Sequence, residues 1–169
     1  MSSLGHGRIA QLNVSPGGVP KLPVREARVT SLGLESDAHD YEHHGGPERA
    51  VCLFSLEMID ALALEGHTIE PGTIGENVTV EGIDWSLVTP GVRLRLGDEV
   101  VLEVTRYTSP CYKIAPVFLG REYSRVSQKR NPGWSRVYTR VLVEGVVRAG
   151  DLIQVLTERA AAEVGAATS

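Results

Sequence analysis

A cysteine follows a Ser-Pro step in the run Arg106-Tyr-Thr-Ser-Pro-Cys-Tyr-Lys113. Proline fixes its own φ and has no N–H, so Pro110 takes the chain out of a regular sheet ladder and holds Cys111 on a rigid turn. Lys113 lies two residues on and Arg106 five back. If these cations converge on the sulfur they favour its thiolate, the form that a nucleophile or a soft-metal ligand requires. The competing reading is a buried structural thiol, because cysteine is among the most often buried side chains. Cys52, inside the apolar run Ala50-Val-Cys-Leu-Phe54, reads as core.

Three further segments carry groups that could bind something. His39, His43 and His44 sit among Asp37, Asp40, Glu42 and Glu48. Two imidazoles and a carboxylate can hold a divalent ion, but neither H-E-x-x-H nor a Cys-x-x-Cys pair is present. His44-Gly-Gly-Pro-Glu-Arg49 is a glycine-hinged loop. Its backbone N–H groups, with Arg49, could grip a phosphate or oxyanion, or it could be plain surface loop. In Pro71-Gly-Thr-Ile-Gly-Glu-Asn77, two glycines allow close backbone approach, and Asn77 can donate and accept. That suits a pterin-like heterocycle or a clamp on the backbone. No lysine follows to make it a P-loop, and no G-x-G-x-x-G occurs. Ser127-Gln-Lys-Arg-Asn-Pro-Gly-Trp134 is a basic loop that could contact an anion, form a lid, or simply connect. A basic pocket could draw on Arg106, Lys113, Arg121, Arg125, Lys129 and Arg130, which otherwise form a solvated face. Trp85 and Trp134 default to the core. No G-x-S-x-G elbow exists, so a serine triad has no support, while a Cys111–His pair across the fold stays open.

The elements that position these groups are short. Strands are expected at 8–14, 23–32, 50–54 and 78–80. The run 50–54 is continuously apolar and therefore central. Ser55 caps a helix over 56–65 with Glu57 in its first turn, and Gly66 stops it. A helical turn falls at 84–87. Alternation over 92–96 and 100–105 about Gly97-Asp98 makes an antiparallel hairpin that leads directly to Cys111. Alternation recurs over 137–144, 145–148 and 152–156, with Gly150-Asp151 as a turn. Many short strands and one good helix imply a mainly β fold: a closed or nearly closed, largely antiparallel β-barrel with a few short helices. It should occupy residues 8–157 as a single domain, with 158–169 a flexible tail.

Bulk properties narrow the partners. The net charge of −4 argues against a nucleic-acid footprint. No apolar run reaches the roughly eighteen residues of a membrane span. The N-terminus has no signal-peptide pattern, so a reducing cytoplasm and two free thiols are expected.

Taken in order, His44-Gly-Gly-Pro-Glu-Arg-Ala-Val-Cys52, Pro71-Gly-Thr-Ile-Gly-Glu-Asn-Val78, Leu96-Gly-Asp98 and Ser109-Pro-Cys-Tyr-Lys113 resemble the MOSC family. That family is named for the C-terminal domain of molybdenum cofactor sulfurases, and the likeness is to its small stand-alone bacterial members. The resemblance implies a MOSC or pyruvate-kinase-barrel-like barrel and a pocket for a molybdopterin-type molybdenum cofactor. It implies Cys111 as the molybdenum ligand and catalytic centre, with His44, Arg49, Asn77, Ser109, Lys113 and Arg130 around the cofactor. The activity implied is an oxidoreductase that reduces a small N-hydroxylated or related substrate, with electrons from a redox partner. The alternatives are a carrier of the cofactor, or of sulfane sulfur as a Cys111 persulfide served by a cofactor sulfurase; a metal-independent cysteine enzyme acting on a carbon–sulfur or thioester substrate; and an interaction domain. No pyridoxal-phosphate-dependent domain, N-terminal barrel extension or ferredoxin-type cysteine cluster is present in this sequence, so pyridoxal phosphate is not expected. Neither nucleic acid nor membrane is expected as a partner, and an apolar hairpin could support a homodimer.

Overall fold

Strands of four to nine residues, each apolar on one face, bury that face stably by closing into a ring. A computed structural model, which describes residues 5–38 and 46–156, shows that ring. Its strands are β1 (His6–Val14), β2 (Leu22–Val24), β3 (Glu26–Thr30), β4 (Gly33–Leu34), β5 (Val51–Ser55), β6 (Val78–Glu81), β7 (Arg93–Leu96), β8 (Val100–Tyr107), β9 (Val137–Val143), β10 (Gly145–Arg148) and β11 (Leu152–Val155). Going round the barrel, β1 is followed by β6, β5, β9, β8, β7 and β11, and β11 pairs back onto β1 with His6 opposite Gln154. β2 hangs on β1 beside the ring, and β10, β3 and β4 form a separate three-stranded sheet. The mainly β, closed and largely antiparallel barrel expected from sequence is therefore the observed architecture.

The β5–β6 pair is parallel, unlike the other pairings among the described residues. A parallel pair needs a crossover, and α1 (Leu56–Leu64) provides it. Ser55 caps that helix, its Oγ accepting from the Met58 N–H at 3.2 Å, and Ile59 and Leu62 are its buried positions. All five residues of β5 are buried, as a continuously apolar strand should be. Phe54 meets Trp85 edge-on at 5.9 Å, and the Trp85 indole N–H donates to the Ser135 carbonyl at 3.1 Å. Trp134 is only partly buried and carries the Arg125 guanidinium 4.0 Å from its ring centre.

Two expectations change. The run 23–32 is two strands, divided at Arg25, because β2 pairs with β1 while β3 turns away to pair with β10. The strands on either side of the expected Gly150-Asp151 turn do not pair with each other as a hairpin: β10 leaves the barrel for β3, and β11 returns to sit between β7 and β1. Alternation identifies a strand but carries no information about which neighbour it takes. The tail expected at 158–169 lies outside the described residues. No helix among the described residues is long and apolar enough to cross a membrane.

Candidate functional site

β8 ends at Tyr107, and the Thr108 N–H donates to the Arg136 carbonyl at 3.1 Å, the last tie before the chain leaves the sheet. Pro110 follows, and Cys111 then opens a 3-10 turn over Tyr112–Val117, its carbonyl accepting from the Ile114 N–H at 3.2 Å. The thiol is half-buried and faces a cleft of about 690 Å³, counted out to its open mouth. Cys52 of β5, Tyr138 of β9, Arg136 just before β9, and the loops around Val19 and Ile74 complete the walls.

Among the described residues, four cations line this cleft, Lys21, Arg49, Lys113 and Arg136, and no carboxylate does. Lys21 and Arg136 are both only 8% exposed. The Lys21 ammonium lies 2.7 Å from Asp37, whose side chain is 2% exposed. Arg136 donates from Nη1 to the Ile74 carbonyl at 2.7 Å, while its buried Nε has no partner among the described residues. The Arg49 guanidinium stands 5.6 Å from the centre of the Tyr138 ring. Burial pushes the Tyr138 hydroxyl up from its ordinary value; the neighbouring Cys52 and Cys111 add to this, and Arg136 and Arg49 oppose it.

Asn77 is committed to the protein. Its Oδ1 accepts from the Cys52 N–H at 3.0 Å, and its Nδ2 donates to Asp37 Oδ2 at 2.9 Å and to the Asn13 carbonyl at 3.3 Å. It thus ties β5, β1 and the Asp37 loop together as a backbone clamp while lining the cleft. Immediately before it, Glu76 is wholly buried. Glu76 Oε2 accepts from the Gly72 N–H at 3.0 Å and the Thr79 hydroxyl at 2.9 Å, and Oε1 has no partner among the described residues. Burial raises this carboxyl above its ordinary range, against the opposing pull of the hydrogen bonds and Arg136. An acid raised in the folded state contributes stability that is present below the ordinary carboxylate range and is lost as pH rises through the raised value. Glu76→Gln should therefore flatten the decline of stability toward alkaline pH. Urea midpoints for both proteins from about pH 5 to about pH 9 would check this; parallel profiles would refute it.

The structure brings Arg49, Asn77, Ser109, Cys111 and Lys113 to one cleft. Arg130 lies instead in a neighbouring cleft, on the other side of the Ser109-Pro110 segment. Arg106 is exposed on β8 and Arg125 is engaged with Glu65 and Trp134, so neither belongs to the Cys111 cleft. His44, with His39 and His43, lies outside the described residues. Four lining residues went unnoticed as site residues in the sequence: Lys21, Cys52, Arg136 and Tyr138. The available signal was a lone lysine between Pro20 and Pro23, and an arginine directly against an apolar strand start.

The two thiols differ in kind. Desolvation pushes Cys52 up to about 12, so at neutral pH it is a protonated thiol. Brief treatment of the folded protein with iodoacetamide should alkylate Cys111 and leave Cys52 unmodified until denaturant is added. Peptide mass spectrometry would read the difference, and early labelling of Cys52 would contradict it.

Comparison with known proteins agrees with this geometry. The MOSC domain profile matches residues 40–154. YflK of Bacillus subtilis is 32% identical over 143 residues, covering 83% of this chain and 63% of that protein. A protein named "Reductase" from Gibberella moniliformis is 30% identical over 132 residues, covering 75% of this chain and 23% of its own length. The crystal structure of YiiM from Escherichia coli superposes with a TM-score of 0.66 at 26% identity, covering 89% of this chain and 70% of that one. The chain thus spans less than two thirds of the curated relatives YflK and "Reductase". By sequence, barrel topology and the extent of the profile match, the chain belongs to the MOSC domain family, which is associated with the molybdenum cofactor.

Proposed function

We propose that the Cys111 cleft binds a molybdopterin-type molybdenum cofactor, with the Cys111 sulfur as a ligand to the metal, and that the loaded protein reduces a small N-hydroxylated or related substrate. The observation that carries this reading is the donor set. Among the described residues, one half-buried thiol shares a cleft with four cations and no carboxylate, and the buried Arg136 Nε lacks a partner. Such a lining fits a polyanion that carries a soft metal. No cluster of three or more His, Cys, Asp or Glu among the described residues could cage a bare ion. A molybdopterin brings its own dithiolene sulfurs to the metal, and the Cys111 thiolate would add one more soft ligand.

The chain's own residues have separable tasks. Arg49, Lys113 and Arg136 neutralise the anionic end of the ligand, Arg136 from a nearly dry position where its charge is least screened. Lys21, already paired with Asp37, adds hydrogen-bond donors from a buried place in the wall. Asn77 holds β5 in place, so the wall carrying Cys52 does not shift when the ligand enters. Pro110 fixes the direction of Cys111. When bound, the metal centre would supply a two-electron transfer at an oxygen atom, which no side chain can perform. Two cysteines do not make up the four thiolates of a typical iron–sulfur cluster, so electrons would reach the cleft from a redox group outside these residues.

The test is elemental analysis of protein purified anaerobically from a host that makes the cofactor. Near-stoichiometric molybdenum in the wild type and its loss in Cys111→Ser are expected, with both proteins equally folded by circular dichroism. A metal-free wild type would overturn the reading. A Cys111 adduct with the mass of one added sulfur atom, released by thiol, would favour the carrier role instead.

A further inference from the structure

A second cleft, wider and of about 980 Å³ to its open mouth, lies beside the first. The two share Ser109 as a lining residue, and the Ser109-Pro110-Cys111 segment is the wall between them. The second cleft is lined by two cations, Lys129 and Arg130, and by Tyr107, Tyr123, Thr108 and Ser109; no carboxylate lines it among the described residues. Thr108 is 4% exposed, and its Oγ1 is buried with no partner among the described residues. A buried hydroxyl left unpaired costs about 1–3 kcal/mol, and the cleft that Thr108 lines is the side from which a polar partner could reach it. The far wall is built before any ligand comes. The Asn131 N–H donates to the Ser127 carbonyl at 2.7 Å, and its side chain donates to the Ser124 carbonyl at 3.2 Å. Arg125 pins the same segment to Glu65 at 2.7 Å and to the Trp134 ring.

Cations without carboxylates select an anion, and two tyrosine rings favour a flat molecule that can lie against them. We propose that this second cleft binds a small planar aromatic or heteroaromatic carboxylate, its anionic group on Lys129 and Arg130 and a polar edge toward Thr108. That such a molecule is the compound reduced at the Cys111 side of the wall rests on the function proposed above; its binding does not. The site therefore has its own test. Calorimetric titration of the full chain with benzoate should show saturable binding, and benzamide, the same shape without the charge, should bind at least about tenfold more weakly. Replacing Lys129 and Arg130 together by alanine should weaken benzoate by about tenfold or more. Thr108→Val should weaken it severalfold, and Arg49→Ala, in the other cleft, should not. Absence of saturable benzoate binding would overturn the proposal. So would equal binding of benzamide, or loss of binding in Arg49→Ala with retention in the Lys129/Arg130 variant. Molybdenum content measured on the same preparations separates the two ideas. A metal-free protein that still binds benzoate keeps this site and loses only its link to reduction.

Discussion

Replacing Asp37 by alanine should lower the unfolding free energy by about 3–5 kcal/mol. Asp37 Oδ1 accepts from the Lys21 ammonium at 2.7 Å and from the Ser15 N–H at 2.9 Å, and Oδ2 accepts from Asn77 Nδ2 at 2.9 Å. The Lys21 side chain is 8% exposed, so removal of its partner leaves an ammonium buried and uncompensated. Breaking a buried pair is costly for that reason, whereas removing both charges is not. The combined change Lys21→Met and Asp37→Ala should therefore cost less than Asp37→Ala alone. Urea unfolding of the two variants checks the sign. A single variant no worse than the double would show that the pair is not buried in solution. The same change frees the Asn77 amide from one of its three partners, so the cleft wall should loosen as well.

Gly72→Ala should destabilise the protein by about 2–6 kcal/mol, the sum of backbone strain and overpacking. Gly72 has φ +85°, in the left-handed region. A Cβ there would stand 2.4 Å from the Lys21 carbonyl oxygen and 3.1 Å from the Asn13 side chain. Neither can retreat: Lys21 donates its N–H to the Gly72 carbonyl at 2.9 Å, and the Asn13 amide is bonded to the Glu76 carbonyl and to Thr79, each at 3.1 Å. Gly91 is the control. Its φ is +94°, but a Cβ there meets nothing within 4 Å. Gly91→Ala should cost only the conformational strain, about 1–2 kcal/mol. Thermal melts of the two alanine variants separate crowding from strain, and equal losses would contradict the crowding argument.

The local elements were legible in the sequence because their causes are local. Ser55 announces α1 by its hydroxyl, and the alternation of Leu94 and Leu96 against Leu102 and Val100 announces the β7–β8 hairpin, with Gly97 at φ +63° in the turn. Cys111, Lys113 and Ser109 were legible for the same reason, since Pro110 sits among them. Lys21 and Arg136 were not. They lie more than a hundred residues apart in the sequence, and both become site residues only because barrel closure buries them against the same cleft. Burial of a charge is a tertiary property, and composition treats every lysine alike. Arg130 shows the converse: it is grouped with Lys113 as a candidate for a basic pocket and set around the cofactor by the resemblance, but the wall that Pro110 helps to build puts it on the other side.

The β1–β11 pairing that closes the barrel has a consequence for how this unit can be joined to other chain. His6 faces Gln154 across a single ladder, so the polypeptide enters and leaves the barrel at nearly the same point. Sequence added before the first strand or after the last need not wrap around the barrel, and a longer host could accept the whole barrel at one loop with little displacement of its own ends. Longer relatives can therefore carry additional chain without rebuilding the ring.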